Sequence, residues 1–574
     1  MRGRTVSGVA HRARDGRRCS PGMTAPGVAV RDSAPGPDAD DVIKAADWRF
    51  LLPVTPGGRY QLLAVVGGSP PLLDYLLRSG CADRITDVLP DDRSASAVVI
   101  LPDAAVAPRK LASALVDGGA LYLEVNRRLP GNRRLTPARV AKELWAAGIA
   151  VTGVYAVGRR GLAPRRYIPI DEPAAARWFL RNAYRPVTPA QRVACAAAAM
   201  ALRAPGGSAL LQRIIPAYAL TASMGTTSSA PLMCGGSFEH AELCSRGARA
   251  ILFGDGGDRV VALAFPPGKR DPATAIKIPR SSNFRERTRN EQVSMRELRA
   301  HLPVDLARAI PEPRGMHDDG DWYFASERAL PGCMLGVSSG SWNAPPRGRI
   351  DDLRIATEWL ADFHATTMVE RRCWSARETD ELLDVLLARY TAVYGETPAE
   401  RHMHAVAVAY ARSLDGTPLP IVWQHRDYTV WNLARSGDTL AVLDWEGARV
   451  GPALCDMLHF ATSWNMAVRV PRGAADELRH FHALFTALFL NPHARDRYHA
   501  AVRGALDSYR ARLGIEERLV PILLLHHQLE LALRRADQLA DRGSATRIPR
   551  AGNSAVAAVA ILAEHCDTLF TTHQ

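Results

Sequence analysis

The chain has 574 residues, 47% of them hydrophobic, and a formal net charge of +13 at pH 7. That is more chain than one core accommodates, so two or three domains are expected, and no run nears the roughly 20 apolar residues of a membrane-spanning helix. The positive balance comes from 67 arginines against five lysines spread along the whole chain, a compositional bias without the clustering of a nucleic-acid surface. Nine cysteines are scattered without a CxxC pair. Neither a disulfide framework nor a zinc site is expected, and a cytoplasmic location fits.

Residues 1–45 are rich in Gly, Pro, Ala and Arg without periodicity and are expected to be disordered. They lack the apolar core of a secretory signal, and Met23 is an alternative start to Met1. Gln61–Val66 reads as a strand ending at Gly67-Gly68, followed by a helix carrying Leu72, Leu73, Leu76 and Leu77. Ala97–Leu101 is a second strand, Leu111–Val116 a helix, and Ala120–Val125 a strand after the turn 117–119. Val140–Ala147 is helical and Ala150–Val157 extended. Such alternation predicts an α/β, mostly parallel, doubly wound sheet over residues 46–187. A helix at Pro189–Leu202 and the Gly206-Gly207 break open a connecting segment, 188–245.

Beyond it the pattern changes. Strands at Ala248–Phe253 and Val260–Phe265 flank Gly254-Asp255-Gly256-Gly257-Asp258, and Ala273–Ile278 is a third strand. Helices are expected at Arg289–Leu302, Ile350–Thr366, Thr379–Tyr394 and Arg401–Leu414, and from Asp456 onward. Short strands interrupt at Trp423–Asp427 and Thr439–Leu443. Strands first and helices later predict a two-lobed α+β domain over 246–574, with a small lobe to about residue 330.

The strongest chemical signal is His425-Arg426-Asp427-Tyr428-Thr429-Val430-Trp431-Asn432, with Asp444-Trp445-Glu446 seventeen residues after Asp427. Phosphoryl transfer needs a carboxylate to orient the attacking hydroxyl and further oxygen ligands to hold Mg²⁺ against the phosphates. Asp427 fits the first role, Asn432 and Asp444 the second. Upstream, Lys277 lies inside the apolar run Thr274–Ile278 and is the last lysine of the chain. A compact ammonium suits nucleotide phosphates. Its partner is expected on the next helix: Glu291, with Met295 and Leu298 placing the apolar face, or Glu297 as the alternative. Gly254, Gly256 and Gly257 form either a phosphate-covering loop or an ordinary hairpin turn.

Taken in order, these residues resemble the aminoglycoside phosphotransferase and choline kinase family, whose fold is similar to protein kinases. Leu330–Leu335, Trp359–His364 and Gly451–Asp456 add to the likeness. The resemblance implies ATP or GTP as cosubstrate, Mg²⁺, and a small-molecule hydroxyl as acceptor. It implies adenine against a hinge near Glu327–Leu330, and structural roles for His425 and Asp456. Arg426 departs from the family, which has glycine there. The short interval between Glu446 and Gly451 leaves no room for a long activation loop and favours a small acceptor. A non-catalytic nucleotide-binding regulator is the alternative.

Residues 46–187 resemble a class I methyltransferase fold more thinly, through Val98–Asp103 and Gly118–Val125. Binding S-adenosylmethionine (SAM) requires a tight glycine turn after the first strand. Only Gly67-Gly68-Ser69-Pro70 stands there, and Asp87 is a weak candidate for the ribose. The domain is expected to be degenerate, with a bifunctional protein as the alternative.

Overall fold

The computed structural model describes residues 39–53, 59–102, 104, 106–160, 163–186, 188–225, 249–254, 258–280, 282–318, 323–340, 344–469, 477–491, 493, 496–541, 550–551 and 553–571. Of the start expected to be disordered, residues 1–38, with Met23, lie outside the described residues, as do Gly256 and Gly257; Ala39–Ala45 instead forms a helix, with Ala45 packed against the core that holds Trp48. Among the described residues no helix is long and apolar enough to cross a membrane.

Twelve strands share one sheet: β1 (Tyr60–Val66), β2 (Ala82–Thr86), β3 (Ala95–Ile100), β4 (Leu115–Asn126), β5 (Ile149–Arg160), β6 (Ala163–Pro169), β7 (Ala217–Met224), β8 (Arg249–Phe253), β9 (Arg259–Phe265), β10 (Thr274–Pro279), β11 (Pro313–Asp318) and β12 (Tyr323–Arg328). Their order is β11-β12-β10-β9-β8-β6-β5-β7-β4-β3-β1-β2. The block β2-β1-β3-β4 is parallel. Leu63 and Val65 of β1, with Ala97 and Val99 of β3, join one core, while Ala64, Val98 and Ile100 join another. Burial on both faces explains why these strands read as continuous apolar runs.

Two expectations change here. The sheet is mixed, because β7 inserts antiparallel between β4 and β5, and β6 runs antiparallel to β5. Residues 188–245, expected to be a connection, supply β7. Tyr218–Met224 is buried throughout, so its apolar run is a central strand. Nor does the sheet stop at the small lobe: β6 pairs with β8 through Arg166↔Phe253 and Tyr167↔Leu252.

A buried ion pair fastens the chain's early segment to the small lobe. Asp47 Oδ1 and Oδ2 accept from Arg280 Nε and Nη2 at 2.8 and 2.6 Å. Both side chains are almost wholly buried, and Arg280 also donates to the Gly254 carbonyl at 3.0 Å. Breaking one partner of a buried pair leaves an uncompensated charge. Asp47→Ala is therefore expected to cost about 3–5 kcal/mol, read as a drop in thermal midpoint; an unchanged midpoint would contradict the fastening.

The second lobe is mostly helical, with two three-stranded sheets. One joins Cys333–Met334, Leu433–Ser436 and Thr439–Val442; the other joins Met368–Cys373, Pro418–Gln424 and Arg449–Pro452. The strand expected over Trp423–Asp427 ends at Gln424, because Arg426 adopts φ +67°, outside extended geometry. The helix Pro346–Thr366 carries an aromatic pile. Trp359 stacks on Phe363 at 5.1 Å and on Tyr428 at 6.0 Å, and Trp445 meets both Trp359 and Phe363 edge-on. Tyr428 and Trp445 neighbour Asp427 and Asp444 in sequence, so this packing sets where both carboxylates sit.

Candidate active site

The loop Gln424–Asn432 connects Pro418–Gln424 to Leu433–Ser436 and is pinned by backbone and side-chain hydrogen bonds. Asp456, at the start of the helix Cys455–Val468, accepts from the His425 and Arg426 backbone N–H groups at 2.6 and 2.7 Å. His425 accepts the Asp427 N–H on Nδ1 at 3.2 Å, and its Nε2 lies 2.8 Å from the Leu443 carbonyl. The ring is therefore the tautomer protonated on Nε2. Burial lowers its pKa and keeps it neutral. One histidine thus ties the Asp427 loop to the strand end before Asp444.

Asp427 receives Asn432 Nδ2 on Oδ2 at 2.7 Å and on its own carbonyl at 2.9 Å. That orientation leaves the Asn432 amide oxygen as the atom available to a cation. Burial, and then the Asp444 carboxylate, push Asp427 up from 3.8 to about 7. Asp444 is held well below the usual carboxylate range: burial opposes ionisation, but Arg259 and Lys277 outweigh it. Asp444 also has φ +72°, a left-handed backbone that costs a non-glycine residue about 1–2 kcal/mol.

Lys277 Nζ ion-pairs with Glu291 Oε1, and with Glu327 Oε2 at 3.1 Å. Glu291 is fully buried and also accepts the Trp445 backbone N–H at 3.0 Å. The helix Arg285–His301 turns Glu291 inward with Met295 and Leu298, whereas Glu297 is exposed. Glu327, expected beside the adenine, places its carboxylate on Lys277. Register explains this. On one face Lys277 lies opposite Val261 and Ala325, and Ala275 lies opposite Glu327. Gly254 is buried, with its carbonyl on Arg280.

Sequence reasoning missed Arg259. It begins β9 opposite Pro279, on the same face as Val261 and Lys277. Its guanidinium binds Asp444, Glu446 at 2.8 Å and Glu291 at 3.0 Å, and the side chain is 10% exposed. Burial would lower its pKa, but the three carboxylates raise it. Strand alternation carries the signal for this residue, and it becomes usable only once the register is known. The cluster can hold a divalent cation, neutralise phosphate charge and accept a proton at one place.

Residues 268–499 match the model of the phosphotransferase enzyme family. The C-terminal region belongs to that family. The matched stretch contains Lys277, Glu291, Glu327, Asp427, Asn432, Asp444 and Asp456; Gly254 and Arg259 precede it. Among solved structures the chain is similar to a macrolide 2'-phosphotransferase from Brachybacterium faecium, at 18% identity over 54% of this chain and 90% of that one, with a TM-score of 0.32. A choline/ethanolamine kinase family protein from Mesorhizobium loti is 16% identical over 55% and 86%, with a TM-score of 0.30. An aminoglycoside phosphotransferase from Alicyclobacillus acidocaldarius is 14% identical over 55% and 89%, with a TM-score of 0.29. No curated protein matches the chain.

Next to the Asp427 loop, a cavity of about 470 Å³ has Arg426, Arg449, Glu530 and Arg534 in its wall. Arg534 Nη1 donates to the Arg426 carbonyl at 2.6 Å, and its charge pulls the Asp427 pKa down against burial.

Proposed function

We propose that the C-terminal region transfers the γ-phosphoryl group of ATP, or of GTP, to a hydroxyl of a small molecule. The observation that carries this reading is the convergence of Asp427, Asn432, Asp444 and the Lys277–Glu291 pair, tied together by Trp445 N–H on Glu291 and by His425. The acceptor hydroxyl attacks the γ-phosphorus as the bond to the bridging oxygen breaks. The hydroxyl proton passes to Asp427, and the nucleoside diphosphate leaves with its charge balanced by Lys277. Catalysis is then positioning plus electrostatic stabilisation.

Asp444 and the Asn432 amide oxygen fit Mg²⁺, a hard cation that takes oxygen ligands. The Arg259 guanidinium on Asp444 and Glu446 supports this assignment, because those oxygens already gather a positive charge. When bound, Mg²⁺ supplies charge neutralisation across the phosphates. Without it, Arg259 balances the carboxylates of the cluster.

The test is nucleotide consumption by the purified chain with Mg²⁺ against aminoglycosides, amino alcohols and sugars, beside Asp427→Ala. Turnover that vanishes in the variant, with nucleotide affinity kept, supports the reading. Equal loss of both would contradict the role of Asp427, and absence of nucleotide binding would overturn the reading altogether. Binding without turnover on any acceptor would favour a regulatory role.

For residues 46–187 the methyltransferase-like reading draws support from β3 and β4, which are adjacent and parallel. Gly67 (φ +84°) follows β1 and Asp87 follows β2, both at the carboxyl ends of strands where open α/β sheets take ligands. Calorimetric titration of the full chain with SAM separates the two alternatives: saturable binding supports a bifunctional protein, and no heat of binding supports a degenerate domain.

A further inference from the structure

The inner wall of the cavity beside Arg426 has an imbalance of charge. Three guanidiniums, those of Arg426, Arg449 and Arg534, surround one carboxylate, Glu530. Arg449 ion-pairs with Glu530, and Arg426 Nη2 lies 3.5 Å from the same oxygen. His526 Nε2 stands 3.7 Å from its other oxygen. Of the other charges in the cavity wall, Arg389 is matched with Asp537, Glu381 with Arg377 at 2.7 Å and Arg372 with Glu370 at 2.6 Å, while Glu378 accepts from the Ser375 hydroxyl.

Holding the arginines together costs the fold in three ways. Arg426 adopts φ +67°, where glycine would be unstrained. Its guanidinium is desolvated beside Arg534, and both effects depress its pKa to about 10. The Nε atoms of Arg426 and Arg534 are buried with no hydrogen-bond partner among the described residues. Donors left unpaired and like charges drawn together are tolerated where a ligand completes them.

We propose that Arg426, Arg449 and Arg534 form an anion subsite that takes a carboxylate or phosphate group carried by the hydroxyl acceptor. Guanidinium forks suit either anion. Arg426 immediately precedes Asp427 and the Arg534 charge acts on the Asp427 carboxyl, so the proposal has the anchored acceptor turn its hydroxyl towards that carboxylate. This rests on the phosphotransferase reading for the word acceptor, though not for the anion itself.

The experiment is calorimetric titration of inorganic phosphate into the full chain saturated with Mg²⁺ and a non-hydrolysable ATP analogue, so that the nucleotide site is filled. Wild type is expected to bind phosphate saturably, and Arg449→Gln and Arg534→Gln to bind it about tenfold or more weakly, from loss of a charge-assisted hydrogen bond. The affinity of each variant for the analogue controls for folding. Equal affinity in all three proteins would mean an adventitious ion only, and no binding in wild type would overturn the subsite. A second arm compares ribose 5-phosphate with ribose and glycerate with glycerol. Tighter binding of either anionic member than of its neutral parent and of inorganic phosphate, lost in Arg534→Gln, assigns the anion to the acceptor. A free-anion site is indicated if neither exceeds inorganic phosphate, and that overturns the acceptor assignment. Should the analogue fail to bind, the phosphotransferase reading fails, and the phosphate titration without nucleotide still decides the subsite.

Discussion

Asp427→Asn is expected to lower turnover about a thousandfold, within the range that a positioned general base contributes, while raising stability at neutral and higher pH. The shape of the side chain and its hydrogen bond from Asn432 are kept; the ability to take a proton is lost. The stability effect follows from proton linkage. The folded carboxyl titrates at about 7, well above its ordinary 3.8. Below about pH 4 it is protonated in both folded and unfolded chains and contributes no penalty. As pH rises from there to 7 the unfolded chain releases the proton and the folded one keeps it, so stability falls. Above pH 7 the whole penalty is present. The variant should exceed wild type by about 1–3 kcal/mol at pH 8, after discounting for partial solvent access, and match it near pH 4. Denaturant unfolding at the two pH values measures the difference. A variant less stable than wild type at pH 8 would contradict the burial and charge argument for Asp427.

Arg259→Ala is expected to destabilise the metal-free protein by about 3–5 kcal/mol, because buried carboxylates lose their shared cation. Glu291 keeps Lys277, but Asp444 and Glu446 lose the guanidinium that now binds them. Millimolar Mg²⁺ should recover part of that loss, since a ligand of the folded state stabilises it by mass action. Nucleotide-free Mn²⁺ binding, read by electron paramagnetic resonance, should be about tenfold tighter in the variant than in wild type, where Arg259 competes for the same oxygens. If metal neither restores stability nor binds more tightly, Asp444 is not part of the cation site. The two measurements do not depend on turnover, so they separate the metal assignment from the search for an acceptor.

The link between Asp47 and Arg280 ties the early segment to the Lys277 side of the small lobe. Arg280 lies three residues past Lys277 and holds the carbonyl of Gly254. Packing of this kind, with the pairing of β6 and β8, joins the β1–β4 part of the sheet to the strand that carries Lys277.

Some of this protein is written locally. Asp427, Asn432 and Asp444 sit in short segments between apolar strands, where a loop has little freedom, and their spacing alone brought them into view. Lys277 stood out as a charge inside an apolar run of a chain that otherwise uses arginine. Glu291 followed from helical periodicity, because Met295 and Leu298 set the buried face. The parallel strands β1, β3 and β4 were visible as apolar runs. Other features needed the folded chain. Arg259 looks like any hairpin arginine until register puts it on the face of Lys277, and register depends on which strands pair. Arg534 lies more than a hundred residues beyond Asp427, on a helix whose inner face only packing defines. The strand β7 and the continuation of the sheet from β6 to β8 depend on pairing between distant segments. Periodicity fixes which side of an element is apolar, whereas the position of that side against another element is decided by the balance of all contacts at once.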